Sequence, residues 1–424
     1  MTESATPIRN LAVIGAGISG ITAAHLLSST HRVTLFEKEP RLGGHTRTVT
    51  VPSGPDRGMP VDMGFIVHND TTYPLFTRFL DRMGVATGKT DMSFGYWDRA
   101  AQTGYAGTSL NGLFATRSNL LRPGFWGMLR EILRFGRLAE AGRTRGTLSG
   151  TLGDFLEEHG FGPAVTQKYV IPLVGAIWSA SGRDALQFPM PALAGFLHNH
   201  GLLDYRHRPG WLYIPGGSRT YVDRFKTTFA GRIVTGAAIR SVRRHTDRVE
   251  VETDTEAHSF DGVVLAVHAD TALALLRDPS PTEQRLLSPW SYSKNRTVLH
   301  TDTTLMPPNR NHWAAWTVVR EPDTDETTPV SLHYHMNRLQ HLPTRQDYLV
   351  TLNPARPIPE ESVIHEVVFT HPRYDPAALA SQAELAKLNG VNRTWFCGAY
   401  QFNGFHEDGV RSAARVARDF GEEL

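Results

Sequence analysis

The chain has 424 residues, enough for two domains with large buried cores, and its 40% hydrophobic and 20% charged content is that of an ordinary globular protein. A formal net charge of +2 gives no global case for nucleic acid, and a single cysteine, Cys397, excludes an internal disulfide and any multi-cysteine metal site. No run reaches the roughly 18 apolar residues that span a bilayer, and the first ten residues lack the charged-then-apolar pattern of a signal peptide, so a cytoplasmic location is expected.

Residues 11–15 are apolar and end on a glycine, which reads as a buried strand. Residues 18–27, rich in alanine and leucine, predict a helix. The segment "HRVTLFEKE" predicts a second strand that ends at Glu37. This strand, glycine turn, helix and strand fall within about 30 residues, the order of a dinucleotide-binding unit. Residues 51–60 are turn-rich. Residues 110–204 read as mainly helical. Strands return with "RIVTGAAIRSV", "RVEVET" and "GVVLAV" over 231–268, and the alternation over 296–352 predicts a second sheet. "TWFCGAY" reads as a short buried strand, and "HEDGVRSAARVARDF" as a closing helix. Cys397 sits in that apolar strand and reads as a buried thiol rather than a covalent flavin link.

Gly15, Gly17 and Gly20 form G-x-G-x-x-G. The first permits the tight turn, the second lets a diphosphate approach the backbone, and the third lets the helix pack on the strand. The helix N-terminus adds free amides and partial positive charge. Glu37, twenty residues past Gly17, is placed to accept hydrogen bonds from ribose hydroxyls, and it would repel a 2′-phosphate, which argues against NADP.

Downstream of Glu37, "PRLGGHTRT" supplies a second glycine pair, Gly43 and Gly44, with no role in a plain NAD domain. With "GRIVTGAAIRSV…GVVLAVHAD" and "WFCGAYQFNGFHEDGVRSA", it makes the chain resemble the amine oxidase and phytoene desaturase superfamily of flavoproteins. The resemblance implies an α/β fold: a Rossmann-like FAD-binding domain (1–75, 205–285 and 385–424) interleaved with an α+β substrate domain (76–204 and 286–384). It implies non-covalent FAD. Carried over by position, the cofactor-binding residues are Gly15, Gly17, Ile18, Ser19, Gly20, Glu37, Lys38, Gly43, Gly44, His45, Ile239, Gly398, Phe405, His406, Asp408 and Val410. The last group places a helix start against the flavin ring, where its dipole favours the negative charge of the reduced form.

Two aromatic rings that receive a neutral amine are expected of a typical amine oxidase, yet "QFNGFHED" holds the position near the ring. Stretches such as "DMGFIVHNDTTYPLF" (62–76), "IPLVGAIWSAS" (171–181), "FLHNHGLL" (196–203) and "RPGWLYIPGGSRTYVDRF" (208–225) resemble a narrower bacterial group. Its members accompany methyltransferases similar to cyclopropane fatty acid synthases and are implicated in furan fatty acid formation. The resemblance therefore implies a desaturase or dehydrogenase acting on a methylated fatty acyl chain, with a SAM-dependent methyltransferase as partner. An amine oxidase, a flavin-holding partner of the methyltransferase and a flavin isomerase stay open beside it.

Removing a proton alongside hydride transfer calls for a base. His406 is the first candidate because its motif lies by the ring, followed by Tyr73 and His198; Asp70, Asp91, His200 and Tyr334 complete the set. His198 and His200, and His333 and His335, form H-x-H pairs without an accompanying carboxylate pattern, so no metal is expected. Residues 117–145 hold seven arginines against two glutamates. Phe125, Leu129, Ile132 and Leu133 are expected on one helical face and Arg130, Arg134 and Arg137 on another, a pattern compatible with peripheral membrane contact.

Overall fold

The computed structural model describes residues 9–203 and 209–424. The N-terminal segment 1–8, the expected domain boundary at 204/205 and Arg208 of the 208–225 stretch lie outside the described residues. Five parallel strands form one sheet in the order Arg232–Thr235, Arg32–Glu37, Asn10–Ile14, Gly262–Leu265 and Thr394–Phe396. Leu11 to Ile14 of the opening strand, which alternate between the two faces of the sheet, are all buried, as in a strand covered on both faces. The helix Ile18–Leu27 follows the first strand. It packs against the closing helix His406–Arg418 so tightly that a Cβ on Gly409 would lie 2.6 Å from Ile18 Cγ2.

A seven-stranded sheet is built from Val363–Pro372, Tyr292–His300, Leu349–Leu352, Leu332–His335, Trp316–Arg320, Phe94–Asp98 and Thr103–Ala106, in that order. Between its two sequence blocks lie the helices of 110–199, of which Pro123–Arg145 is the longest. The chain thus leaves the parallel sheet and returns to it three times, at Arg232–Thr235, Gly262–Leu265 and Thr394–Phe396.

The structure departs from the sequence expectation at "RIVTGAAIRSV". Arg232–Thr235 joins the parallel sheet, whereas Ile239–Arg244 starts an antiparallel three-stranded sheet with Val249–Thr253 and Ala257–Phe260. Gly236, at φ +67°, makes the break, and its amide donates to the Glu39 carbonyl at 3.0 Å. A left-handed residue inside an apolar run ends one strand and re-aims the next.

Asp62 ties three segments together. It is fully buried, its carboxylate accepts from the Ser218 amide and hydroxyl and from Gln340 Nε2, and Thr48 Oγ1 donates to it at 2.5 Å. Among the described residues none forms an ion pair with it, and burial pushes its pKa up to about 6.

Candidate active site

The two glycine loops lie against each other. Gly15 adopts φ +98°, and a Cβ there would stand 2.6 Å from the Ala266 carbonyl oxygen. A Cβ on Gly20 would come within 1.8 Å of the Gly15 oxygen. Gly17, which precedes the first helix, is different: a Cβ there would meet no heavy atom within 4 Å, and no side chain caps the helix. The amides of that first turn therefore face open space. The Gly43 amide donates to the Ala16 carbonyl at 2.7 Å, and a Cβ on Gly44 would lie 3.1 Å from Gly17 Cα. Arg41 stiffens the second loop by donating to the carbonyls of Leu42, Gly44 and Thr46 at 3.1–3.3 Å. Two backbones bare of side chains border the same space, which is what a diphosphate requires.

Glu37 sits beside this space at the end of its strand. Its Oε2 accepts from the Ala16 amide at 2.8 Å and its Oε1 from the Glu39 amide at 2.9 Å. Each oxygen keeps a second lone pair for a ribose hydroxyl. The Ala237 amide donates to the Glu37 carbonyl at 3.0 Å, which brings the segment leading to Ile239 alongside. Ile239 itself begins its strand at a register break, which leaves backbone groups there outside the ladder. Lys38 is exposed, whereas Ile18 and Ser19 are buried against the closing helix.

The closing helix brings the C-terminal motif to the same place. Phe405 precedes it, and the Phe405 amide donates to Asp408 Oδ2 at 2.9 Å. The Gly398 amide donates to Ser412 Oγ at 2.9 Å, and Val410 is fully buried. Glu407 accepts from the amides of Leu75 and Phe76 at 3.0 and 2.9 Å, so it caps the N-terminus of the helix Pro74–Arg82 from a distant part of the chain. Asp408 is 4% exposed, and burial pushes its pKa up to about 7.

The structure sorts the candidate bases. His406 Nε2 lies 2.9 Å from Thr46 Oγ1 and 3.4 Å from the Tyr221 hydroxyl, and its ring stacks on Phe65 at 3.7 Å. Burial holds it well below the usual histidine range, so the ring is neutral and a weak base, packed and hydrogen-bonded in place. Tyr73 is buried at the start of the helix Pro74–Arg82, and burial raises its pKa further from neutrality. His198 is separated from both: its side chain is 45% exposed and its Nδ1 sits 2.9 Å from Glu140 Oε2 of the long helix. The physical reason is helical phase, because residue 198 lies in the last turn of Met190–Asn199 while His200, just past it, turns inward. His200 stacks on Phe196 at 3.9 Å and lies 5.4 Å from Phe405 and 6.3 Å from Tyr73, ring to ring. Asp70 is exposed, Asp91 pairs with Arg338, and Tyr334 packs edge-on to Trp316 at 5.2 Å.

Two further imidazoles gather around His45. Its ring centroid lies 5.5 Å from His371 and 6.2 Å from His268, and His268 stacks on Tyr292 at 4.1 Å. Burial is the first cause that lowers all three, to about 4 for His45 and His268 and about 3 for His371. His268 follows the strand Gly262–Leu265, at the carboxyl end where open α/β sheets bind ligands, and that position was its only sequence signal. His371 and Asp408 carry no such signal as proton-holding groups. Among the described residues no group of three or more His, Cys, Asp or Glu could hold a metal ion; His333 bonds Thr351 and His335 bonds Asp347 instead. Cys397 is buried, and burial raises its thiol pKa to about 12.

The family model of flavin containing amine oxidoreductases matches residues 18–351. The chain belongs to that family. Its cofactor is FAD, and the bare glycine cradle, the Glu37 carboxylate and the uncapped helix start fit that dinucleotide. AofH of Mycobacterium tuberculosis, assigned by name to the flavin-containing monoamine oxidases, is 26% identical over 306 residues, which span 66% of this chain and 62% of that relative's length. Cyclohexylamine oxidase from Brevibacterium oxydans shares the fold at a TM-score of 0.69 and 16% identity, covering 98% of this chain and 100% of that one. A fatty acid isomerase from P. acnes that produces CLA shares it at 0.66 and 15%, covering 97% and 98%. The similarity therefore extends across both the cofactor half and the substrate half of the fold.

Proposed function

We propose that the protein is an FAD-dependent oxidoreductase that removes two hydrogens from an apolar acyl chain and leaves a carbon–carbon double bond, with a methylated fatty acyl chain of a lipid as the substrate class. The observation that carries this reading is the character of the walls beside the closing helix. Phe405 stacks at 5.1 Å on Phe196, which lies 4.6 Å from Trp178, and Trp178 stacks at 4.4 Å on Phe188. Tyr374 and His200 complete the wall, and burial keeps both neutral. Such a wall offers apolar area and no fixed charge, which suits a hydrocarbon chain better than an ammonium group.

Bound FAD supplies a hydride acceptor. The chain's own part is to hold the carbon in place, to exclude water and to take the accompanying proton. Asp408 suits the last task best, since its pKa of about 7 leaves it able to exchange a proton near neutrality. The fatty acid isomerase among the structural neighbours supports the lipid reading, and AofH and cyclohexylamine oxidase support an amine. A SAM-dependent methyltransferase that makes the methylated chain is the partner class this reading carries. Lipid extracts from cells with and without the gene test it by mass. Acyl chains lighter by two hydrogens are expected only where the gene is present. Identical acyl masses in both would contradict it.

A further inference from the structure

The geometry points to a membrane-docking surface at residues 110–137, and we propose that it seats the protein on an anionic lipid bilayer. The proposal stands on the surface alone and does not depend on which substrate is oxidised. Among the described residues seven large hydrophobic side chains are exposed, and five of them fall here: Leu121 (88%), Leu110 (78%), Leu133 (53%), Leu120 (47%) and Trp126 (45%). Scattered singly they would need no explanation, but a contiguous exposed apolar patch marks a contact site.

The patch is built rather than accidental. In the short helix Arg117–Leu121 the one buried residue is polar: Asn119 is 2% exposed and its Nδ2 donates to the Gly104 carbonyl at 3.3 Å, while Leu120 and Leu121 face out. The Trp126 indole donates to the Leu120 carbonyl at 3.1 Å, and its ring packs 5.3 Å from Phe114. Both contacts fasten that turn and the helix Leu110–Leu113 to the start of the long helix Pro123–Arg145. That helix buries Met128, Ile132, Phe135 and Ala139 on one face. The opposite face carries Trp126, Arg130, Leu133 and Arg137, spaced by four, three and four residues, so they form one stripe along the helix. This corrects the segregated pattern expected from sequence, in which Leu133 lay with Ile132: Leu133 stands out among the arginines instead.

Charge selects the occupant. The stretch 99–139 holds six arginines and one carboxylate, Glu131, and that carboxylate is turned to the Gly162 amide at 3.2 Å. Arg117, Arg122, Arg130 and Arg137 are exposed with no exposed acid between them. Cations interleaved with leucines and an interfacial tryptophan match anionic headgroups over an acyl layer. The buried face of the same helix packs on Met190–Asn199, which carries the Phe196 that stacks on Phe405, so the helix bearing the patch on its outer face backs the wall of the proposed active site.

The test is co-sedimentation of the full-length, FAD-loaded protein with vesicles. Binding is expected to vesicles of phosphatidylcholine mixed with phosphatidylglycerol. It should weaken steeply at roughly 1 M salt, where the screening length falls to about 3 Å. Leu121→Asp with Leu133→Asp, and separately Arg122→Glu with Arg130→Glu, should each lower partitioning at least about tenfold. Flavin content and melting temperature should match the wild type, since none of these side chains is buried. Lipids with brominated chains should quench wild-type tryptophan emission more than that of Trp126→Phe. Failure to sediment with these vesicles, or unchanged partitioning of both double variants, overturns the proposal. So does a stable dimer in sedimentation equilibrium that Leu121→Asp dissociates, because the patch would then belong to a second copy.

Discussion

The variant Gly17→Val is expected to fold but to be recovered without flavin. The wild-type backbone at Gly17 has φ −72°, which any residue adopts. No heavy atom of the protein stands within 4 Å of the added Cβ. The space it enters is the space beside the first-turn amides, so the penalty falls on the ligand alone. FAD affinity is expected to drop at least about 100-fold, or about 2.7 kcal/mol. Flavin absorption of the purified protein, a titration with FAD, and the melting temperature of the cofactor-free form read these effects separately. Gly20→Val is the contrasting case. A Cβ there lies 1.8 Å from the Gly15 oxygen, so that variant loses the fold along with the cofactor. Wild-type flavin content in Gly17→Val would place the diphosphate elsewhere.

Arg244→Met is expected to destabilise the protein by about 3–5 kcal/mol. Arg244 and Glu283 are both 2% exposed, with contacts of 2.6 and 3.0 Å between guanidinium and carboxylate. The arginine also meets Asp278 Oδ1 at 3.0 Å. Glu283 has a second task, since it accepts from the Ser280 amide at 2.7 Å and so caps the helix Pro281–Leu287. Removing the arginine leaves a buried carboxylate without its cation. Burial raises the Glu283 pKa, but the Arg244 bonds outweigh it and hold the carboxyl below its usual range. A depressed carboxylate pKa means the pair stabilises the fold above about pH 4.5, and the benefit fades as pH falls through the folded value. Chemical denaturation at neutral pH should show the loss, and roughly 3–6 °C should disappear from the melting temperature. The double change Arg244→Met with Glu283→Leu should recover much of it, because no buried charge remains. A single variant as stable as the wild type would show that the pair contributes nothing.

The cofactor half of the site was legible because its chemistry is written locally. Gly15, Gly17, Gly20 and Glu37 fall within 23 consecutive residues, and their spacing alone builds the turn and the acid. The helix start expected at Phe405 to Asp408 is present in the structure. The proton chemistry was not legible, because it depends on burial rather than on residue type. His406, the first candidate base, is held neutral by burial, with its ring packed on Phe65 and within hydrogen-bond reach of Thr46 and Tyr221. Asp408, expected against the cofactor, caps the closing helix and is the carboxyl poised near neutrality. His198 and His200 differ by two positions, yet helix phase sends one to Glu140 at the surface and the other to Phe405. Long-range ties such as Glu407 to the amides of Leu75 and Phe76 span 331 residues or more and leave no local trace.

Anaerobic mixing of the FAD-loaded protein with candidate reductants puts the substrate class to the most direct trial. Phospholipid bearing methylated, unsaturated acyl chains should bleach the flavin absorbance, while primary amines leave it unchanged. Rapid bleaching by amines, with the lipid inert, would contradict the account.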